Sequence, residues 1–308
     1  FIKYKSSGEL VWAKSVSGTG SGGGLGNDAN GRSIFIDANG NVYLTGEFSG
    51  SADFDPNVTL TRDGRVAIIT LNRSEHRNEI NVDMSFDLAD ACLSVQQDDE
   101  VWAVLLTGSG DIFCAGTDET ELASGWQEAS ALDRLRVCES VASMDKPVVA
   151  ALNGDAIDQG LEIALACDLR VASTAASFGL THLEKGFIPW DGGTQRLPRL
   201  IGTSRATEMI LSSRILTSDE ALDLGLVNLV TEPEDVVSRA IELASTIASH
   251  GPTASRYVKE AVMKGLDMTL EQGMRLEADL SFLLQSASDR TEGLASFLER
   301  RPPAYTGK

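Results

Sequence analysis

The stretch ALNGDAIDQGLEIALACDL, residues 151–169, sets Asp155, Asp158 and Glu162 against an apolar run. A charge beside a core is costly unless it is paired or used. Three readings follow: structural acids, a metal site, or a catalytic base. The metal reading finds little support. His76, His182 and His250 form no HExxH or comparable spacing, and Cys92, Cys114, Cys138 and Cys167 form no CxxC pair. No metal site is expected. The cysteines sit in apolar or small-residue surroundings and read as buried free thiols of a reducing compartment, which points to the cytoplasm.

Two segments share one design. GDIFCAGTDETEL (110–122) follows the apolar run VWAVLLTG, and GDAIDQGLEIALACD (154–168) follows PVVAALN. Each puts a small-residue loop between a strand and a helix, where backbone N–H groups lack partners. Two such groups aimed at one point make an oxyanion hole. The plainer reading is that the glycines only permit tight turns and close packing.

The elements that must position these loops are legible from periodicity. VTLTRDGRVAIITLN (58–72) reads as two strands about Asp63-Gly64, and NVDMSFDLADACLSVQQD (81–98) as a helix. VWAVLLTGSG (101–110) and PVVAALNG (147–154) are buried strands. ALDRLRVCESVASM (131–144) reads as a helix closed before Lys146-Pro147, and GLEIALACDLRVAS (160–173) as a helix running into a strand. After residue 203 the chain reads as almost all helix. This alternation predicts an α/β fold, a sheet covered by helices with crossover connections.

Residues 1–56 differ. A glycine-rich loop, GTGSGGGLGNDANG (18–31), lies among short alternating runs at 9–16, 32–38 and 41–48, and Asn39-Gly40 is a hairpin signal. Nothing there reads as helical. FIKYKSSGELVWAKSV and DANGNVYLTGEFSGSADFDP resemble one blade of a bacterial β-propeller, in a single copy. The expected organisation is a β-propeller-repeat-like fragment at 1–56, an α/β core at 57–250 and a helical C-terminal region at 251–308. The chain opens FIKYKSSGELVWAK, which lacks both a signal-peptide pattern and an initial Met, consistent with removal of an upstream portion. Lys+Arg 26 against Asp+Glu 45 gives a formal net charge of −19, which disfavours nucleic acid as a partner. No apolar run reaches 18 residues, so no membrane span is expected.

From about residue 58 onward, six segments in order resemble the enoyl-CoA hydratase/isomerase (crotonase) family: VAIITLNRSEHRNEIN, DIFCAGTDETEL, PVVAALNGDAIDQGLEIALACDLRVASTAASFGL, GFIPWDGGTQRLPRLIG, ILTSDEALDLGLVNLV and RTEGLASFLERRPPAYTG. The resemblance implies a crotonase-like ββα spiral and a helical C-terminal trimerisation region. It implies an acyl-CoA substrate, no cofactor beyond the CoA moiety, and assembly as a homo-trimer or hexamer. It also implies an enolate stabilised by two backbone N–H donors, here Thr117 and Gln159. Most relatives have Ala and Gly there, and Asp158 replaces a further family glycine.

By the same resemblance Glu162 matches the first of two family glutamates that handle water and proton. The second glutamate has no direct counterpart: its place falls on His182, with Glu184 two residues further on. Three readings stay open. His182 works with Glu162, since an imidazole titrates near neutral pH; Glu184 swings in; or a variant reaction uses another acid. Asp191 lies one position from an acid that some relatives use, and Asp158 is a further acid that could face the acyl group. Asp168 reads as structural. Arg73, Arg77, Ala115 and Lys259 match positions that contact CoA, with His76 nearby. Trp126 and Trp190 suit the acyl pocket, and Phe282 and Phe297 suit the core or the distal acyl pocket. The expected activity is hydration of an α,β-unsaturated, cyclic or bulky acyl-CoA. A double-bond isomerase, a ring-opening C–C hydrolase and an inactive adaptor are the alternatives.

Overall fold

The computed structural model describes residues 57–118, 120, 121, 123 and 133–308, and the backbone of four strands that precede them. Two compact units are present, Phe1–Asp55 and Pro56–Lys308. In the first, β1 (Ile2–Tyr4) pairs antiparallel with β2 (Leu10–Ala13), and β3 (Asn30–Ile36) pairs antiparallel with β4 (Val42–Glu47). The β3–β4 pair is the one expected from the two alternating runs. Asn39-Gly40 and most of the segment resembling a propeller blade lie outside the described residues.

The second unit is built on a six-stranded sheet in the order β13-β10-β8-β7-β6-β5. β5 (Val58–Asp63) and β6 (Val66–Leu71) form the expected hairpin. Parallel pairings then add β7 (Ala103–Gly108), β8 (Val148–Leu152), β10 (Leu169–Ser173) and β13 (Leu229–Thr231). Parallel strands buried on two faces must be apolar throughout. The side chains duly divide by parity. Ile69, Leu71, Val104, Leu106, Val148, Ala150 and Leu152 enter the main core on one face. Val66, Ala103, Leu105, Val149, Ala151 and Val171 face the other way, onto Val236, Ala240 and Ala244 of a helix, Val236–Ala248.

Helix α1 (Val82–Gln97) covers the main core. Asn81 caps it, its side chain accepting from Met84 N at 2.8 Å. The helix expected over 131–144 is interrupted: Asp133 and Arg134 are helical, residues 135–137 are not, and α2 spans Cys138–Ala142. The backbone just before it bonds elsewhere. Leu135 O accepts from the Gln159 side chain, and Val137 N donates to Asp191. Helix α3 (Gln159–Ala166) is buried along its whole length, as its composition demands. Beyond residue 203, two short strands interrupt the expected helical run. β12 (Leu216–Thr217) joins β11 (Ser177–Gly179) and β9 (Ala156–Ile157) in a three-stranded sheet, and β13 extends the main sheet. Both were too short for periodicity to reveal; neighbouring strands supply what their own sequence lacks.

The remaining helices are α4 (Gly193–Ile201), α5 (Thr203–Leu211), α6 (Ser218–Asp223), α7 (Val236–Ala248), α8 (Pro252–Gly265), α9 (Leu270–Leu283) and α10 (Ser288–Glu299). The last three bury few residues of their own.

The loops after β7 and β8 are locked face to face. Cys114 N donates to Asp155 O, and Ile157 N donates to Cys114 O. A Cβ on Gly160 would sit 2.1 Å from Cys114 O, so only glycine allows α3 to start against that backbone. Gly160→Ala is expected to destabilise the protein by about 3 kcal/mol through this overpacking, read as a lowered midpoint in denaturant unfolding.

Candidate active site

The locked loops bring Thr117 and Gln159 together. A Cβ on the intervening Gly116 would lie 3.8 Å from Gln159 N. Gly116 itself has φ +117°, a left-handed conformation that favours glycine. Among the described residues, neither Thr117 N nor Gln159 N donates to a protein acceptor. Gln159 opens α3, where the first N–H groups have no intrahelical acceptor. The side chains are tied away: Thr117 Oγ1 donates to Gln159 Oε1 at 2.7 Å, and Gln159 Nε2 donates to Leu135 O at 2.6 Å and to Asp191 Oδ2 at 3.1 Å. The larger residues at these two positions therefore brace the wall and leave both N–H groups unspent.

One turn into α3, Glu162 is fully buried. Its Oε1 accepts from Asp191 N at 2.9 Å and from Gly193 N at 2.7 Å. Its Oε2 has no hydrogen-bond partner and lies 3.7 Å from His182 Nε2. Burial pushes the Glu162 carboxyl up to about 7, against the two backbone donors that favour its charged form. Burial also holds the His182 imidazole below its ordinary value, although Asp158 opposes this. At neutral pH the site thus presents a carboxyl near its midpoint and a neutral imidazole.

His182 starts a 3-10 turn, His182–Lys185, directly after β11. Its Nδ1 lies 3.3 Å from Asp158 Oδ1. Thr117, Asp158, His182, Lys185, Phe187 and Trp190 line a cleft over this group. Lys185 and Phe187 are lining residues that spacing alone did not single out. They are carried in by the turn that carries His182.

The other expected positions sort themselves. Glu184 is exposed on the same turn and is not brought to Glu162, because the 3-10 winding sends it to the solvent side. Asp191 is buried next to the site, but its Oδ2 accepts from Val137 N, Cys138 N and Gln159 Nε2, so it ties the start of α2 to the loop. Asp168 accepts from Val148 N at 2.7 Å and pairs with Lys259 at 2.8 Å; Lys259 also donates to Lys146 O. Lys259 is therefore used within the chain. Arg73 is likewise engaged, donating to Glu79 O and pairing with Asp118 at 3.1 Å. Arg77 is exposed, with its carbonyl accepting from Ala115 N. His76 is exposed beside it. Asp155 accepts from Ser177 N. Phe282 and Phe297 are 72% and 79% exposed, so neither packs the core of its own chain. Trp126 lies outside the described residues. Among those residues no group of three His, Cys, Asp or Glu could hold a metal ion.

A ββα spiral that carries a buried carboxyl–imidazole pair and two backbone N–H groups without protein acceptors has the parts for enolate or oxyanion chemistry. The enoyl-CoA hydratase/isomerase family profile matches residues 61–308. The chain is 40% identical over 254 residues to (E)-benzylidenesuccinyl-CoA hydratase of Thauera aromatica, covering 81% of this chain and 99% of that protein. It is 35% identical over 257 residues to crotonyl-CoA hydratase of Syntrophomonas wolfei, covering 82% and 98%. The crystal structure of an enoyl-CoA hydratase from Bacillus anthracis superposes with a TM-score of 0.80 at 38% identity, covering 82% of this chain and all of that one. The chain belongs to the enoyl-CoA hydratase/isomerase family.

The raised Glu162 carboxyl has a consequence for stability. Burial costs nothing below the unfolded value of 4.5, where the group is neutral in either state; stability is then lost as pH rises through about 7. Glu162→Gln keeps an oxygen for the two N–H donors and removes the charge. Its stability relative to wild type is expected to rise by on the order of 3 kcal/mol between pH 4.5 and pH 8, measured by denaturant unfolding at fixed protein concentration. A difference that does not change with pH would contradict it.

Proposed function

We propose that the protein is an enoyl-CoA hydratase that adds water across the double bond of an α,β-unsaturated acyl-CoA. One observation carries this reading: Glu162 Oε2 and His182 Nε2 are unpartnered, 3.7 Å apart, beside two unspent backbone N–H groups. A single water at roughly 2.8 Å from each atom would satisfy both. Glu162 as carboxylate takes a proton from that water while its oxygen attacks the β-carbon. The electron pair of the double bond moves toward the thioester, and Thr117 N and Gln159 N hold the enolate oxygen. The proton then passes to the α-carbon, from Glu162 or through His182. The product is a 3-hydroxyacyl-CoA, and the two groups return to their starting state.

His182 thus stands in for a second glutamate, and Glu184 and Asp191 drop out as acids. A double-bond isomerase needs one base only; two facing acid–base groups favour the hydratase over that reading, the ring-opening hydrolase and the inactive adaptor. Trp190 and Phe187 beside Lys185 support an acyl group that is bulky or cyclic. Arg77 and the Ala115 loop, rather than Arg73 and Lys259, are the better CoA contacts, since the latter pair is engaged within the chain. Four buried free thiols support a reducing, cytoplasmic setting. Among the described residues no helix is long and apolar enough to cross a membrane.

The C-terminal helices leave Val258, Val262, Met263, Leu266, Leu270, Met274, Phe282 and Phe297 exposed. Apolar side chains exposed in this number on three successive helices suit an interface, and the family's trimer, alone or paired as a hexamer, would supply a cover through residues 251–308. Light scattering is expected to give three or six times the chain mass, and Phe282→Glu to lower it.

Incubation of a panel of acyl-CoAs in H₂¹⁸O tests the reaction. Product mass is expected to rise by one water with ¹⁸O at the hydroxyl carbon. Glu162→Gln and His182→Ala are each expected to lose at least about a hundredfold in kcat, and Glu184→Gln to stay within twofold of wild type. Rearrangement at unchanged mass, or ¹⁸O in a new carboxylate, would replace the hydratase reading.

A further inference from the structure

By the resemblance to the family Asp158 replaces a glycine, and its backbone has φ +49°, a region unfavourable for a side chain. It sits at the N-cap of α3, the position where an aspartate ordinarily accepts from the helix N–H groups. Here it makes no such bond. Its carboxylate turns the other way. Oδ1 accepts from Thr181 N at 2.5 Å and Thr181 Oγ1 at 3.0 Å; it also lies 3.3 Å from His182 Nδ1, a charge contact outside hydrogen-bond geometry, and Oδ2 lies 3.4 Å from Lys185 Nζ. The side chain is 4% exposed. A strained backbone, a forgone cap and a buried charge are therefore all accepted to put one carboxylate beside one face of the imidazole.

We propose that Asp158 is the positioning residue of His182: it holds the Nδ1–H tautomer and aims Nε2 at Glu162, forming an Asp158–His182–Glu162 relay. An imidazole needs a fixed orientation and tautomer to serve as acid or base, and the group on its far nitrogen sets both. A glutamate at 182 would need no such partner, and Asp158 would repel it. The two departures from the family pattern are thus one device. The charged groups facing His182 are Asp158 from the N-cap of α3, Glu162 from α3 and Lys185 from its own turn. Asp191 faces Glu162 from behind, with Arg196 donating to the Asp191 carbonyl at 3.0 Å. Raising the local positive charge through Lys185 disfavours a protonated imidazole, and Asp158 favours it.

The catalytic part of this inference rests on the hydratase reading, so the test has one arm independent of turnover. The chain has three histidines, and the His182 ring can be assigned by its loss in His182→Ala and titrated by NMR in wild type, Asp158→Gly and Asp158→Asn. Wild type is expected to show the Nδ1–H tautomer; in both variants the His182 titration moves to lower pH and the tautomer preference is lost. On any acyl-CoA that wild type hydrates, both variants are expected to lose at least about tenfold in kcat with KM within about twofold. Asp158→Gly should be at least as stable as wild type, because glycine relieves the positive φ, so the loss is not one of folding. The double variant Asp158→Gly/His182→Glu should exceed His182→Glu alone in kcat. An unchanged His182 titration and tautomer in both variants would overturn the proposal, whatever the activities. If wild type hydrates none of the substrates, the hydratase reading fails, and the NMR arm alone decides the Asp158 contact.

Discussion

A buried carboxyl group, one oxygen pinned by two backbone donors and the other left without a protein partner, is the constraint on which this site depends. Burying Glu162 without a counter-charge is unfavourable, and the structure meets that cost with Asp191 N and Gly193 N on Oε1 alone. The result is a group whose proton is loosely held near neutral pH. Everything adjacent follows from keeping that group in place. α3 must be apolar on every side, so it lies inside the molecule. The loop at 190–193 must present two N–H groups, so Asp191 anchors it to the start of α2 and to Gln159.

The same packing that buries Glu162 also places the two N–H groups proposed as oxyanion donors. α3 can begin where it does because Gly160 lets its backbone meet Cys114 O. That meeting sets Gln159 N beside the loop that carries Thr117. Gln159 N and the Glu162 carboxyl are then spaced by one helical turn. Side chains at 117 and 159 can vary widely under this arrangement, since the proposed chemistry uses only their backbone. Here they are used as braces.

Much of the fold was legible in the sequence, for reasons that differ by element. β6, β7 and β8 are apolar on two faces and could hardly be anything but central strands. α1 announced itself by period. The short strands β12 and β13 carry no pattern of their own and exist because β11 and β10 offer them an edge. The segment before Cys138 had helical periodicity, yet side chains remote in sequence took its backbone groups. At the site, Glu162, Thr117 and Gln159 were singled out by the resemblance to the family, and the structure brings Thr117 and Gln159 into contact at the start of the helix that carries Glu162. The choice between His182 and Glu184 could not be made by spacing. It turns on the winding of a four-residue 3-10 turn, which exposes Glu184 and buries His182. Lys259 and Arg73 looked like free cations in the sequence because their partners, Asp168 and Asp118, lie far along the chain.

The central claim is that Glu162 and His182 jointly hold the reacting water beneath a thioester whose oxygen is bound by Thr117 N and Gln159 N. A crystal structure with an unreactive saturated acyl-CoA tests it most directly. The expected result is a carbonyl oxygen within hydrogen-bond distance of both N–H groups, and one ordered water in contact with Glu162 Oε2 and His182 Nε2. A carbonyl bound elsewhere, or a water held by Glu162 and Glu184 with His182 turned away, would contradict it.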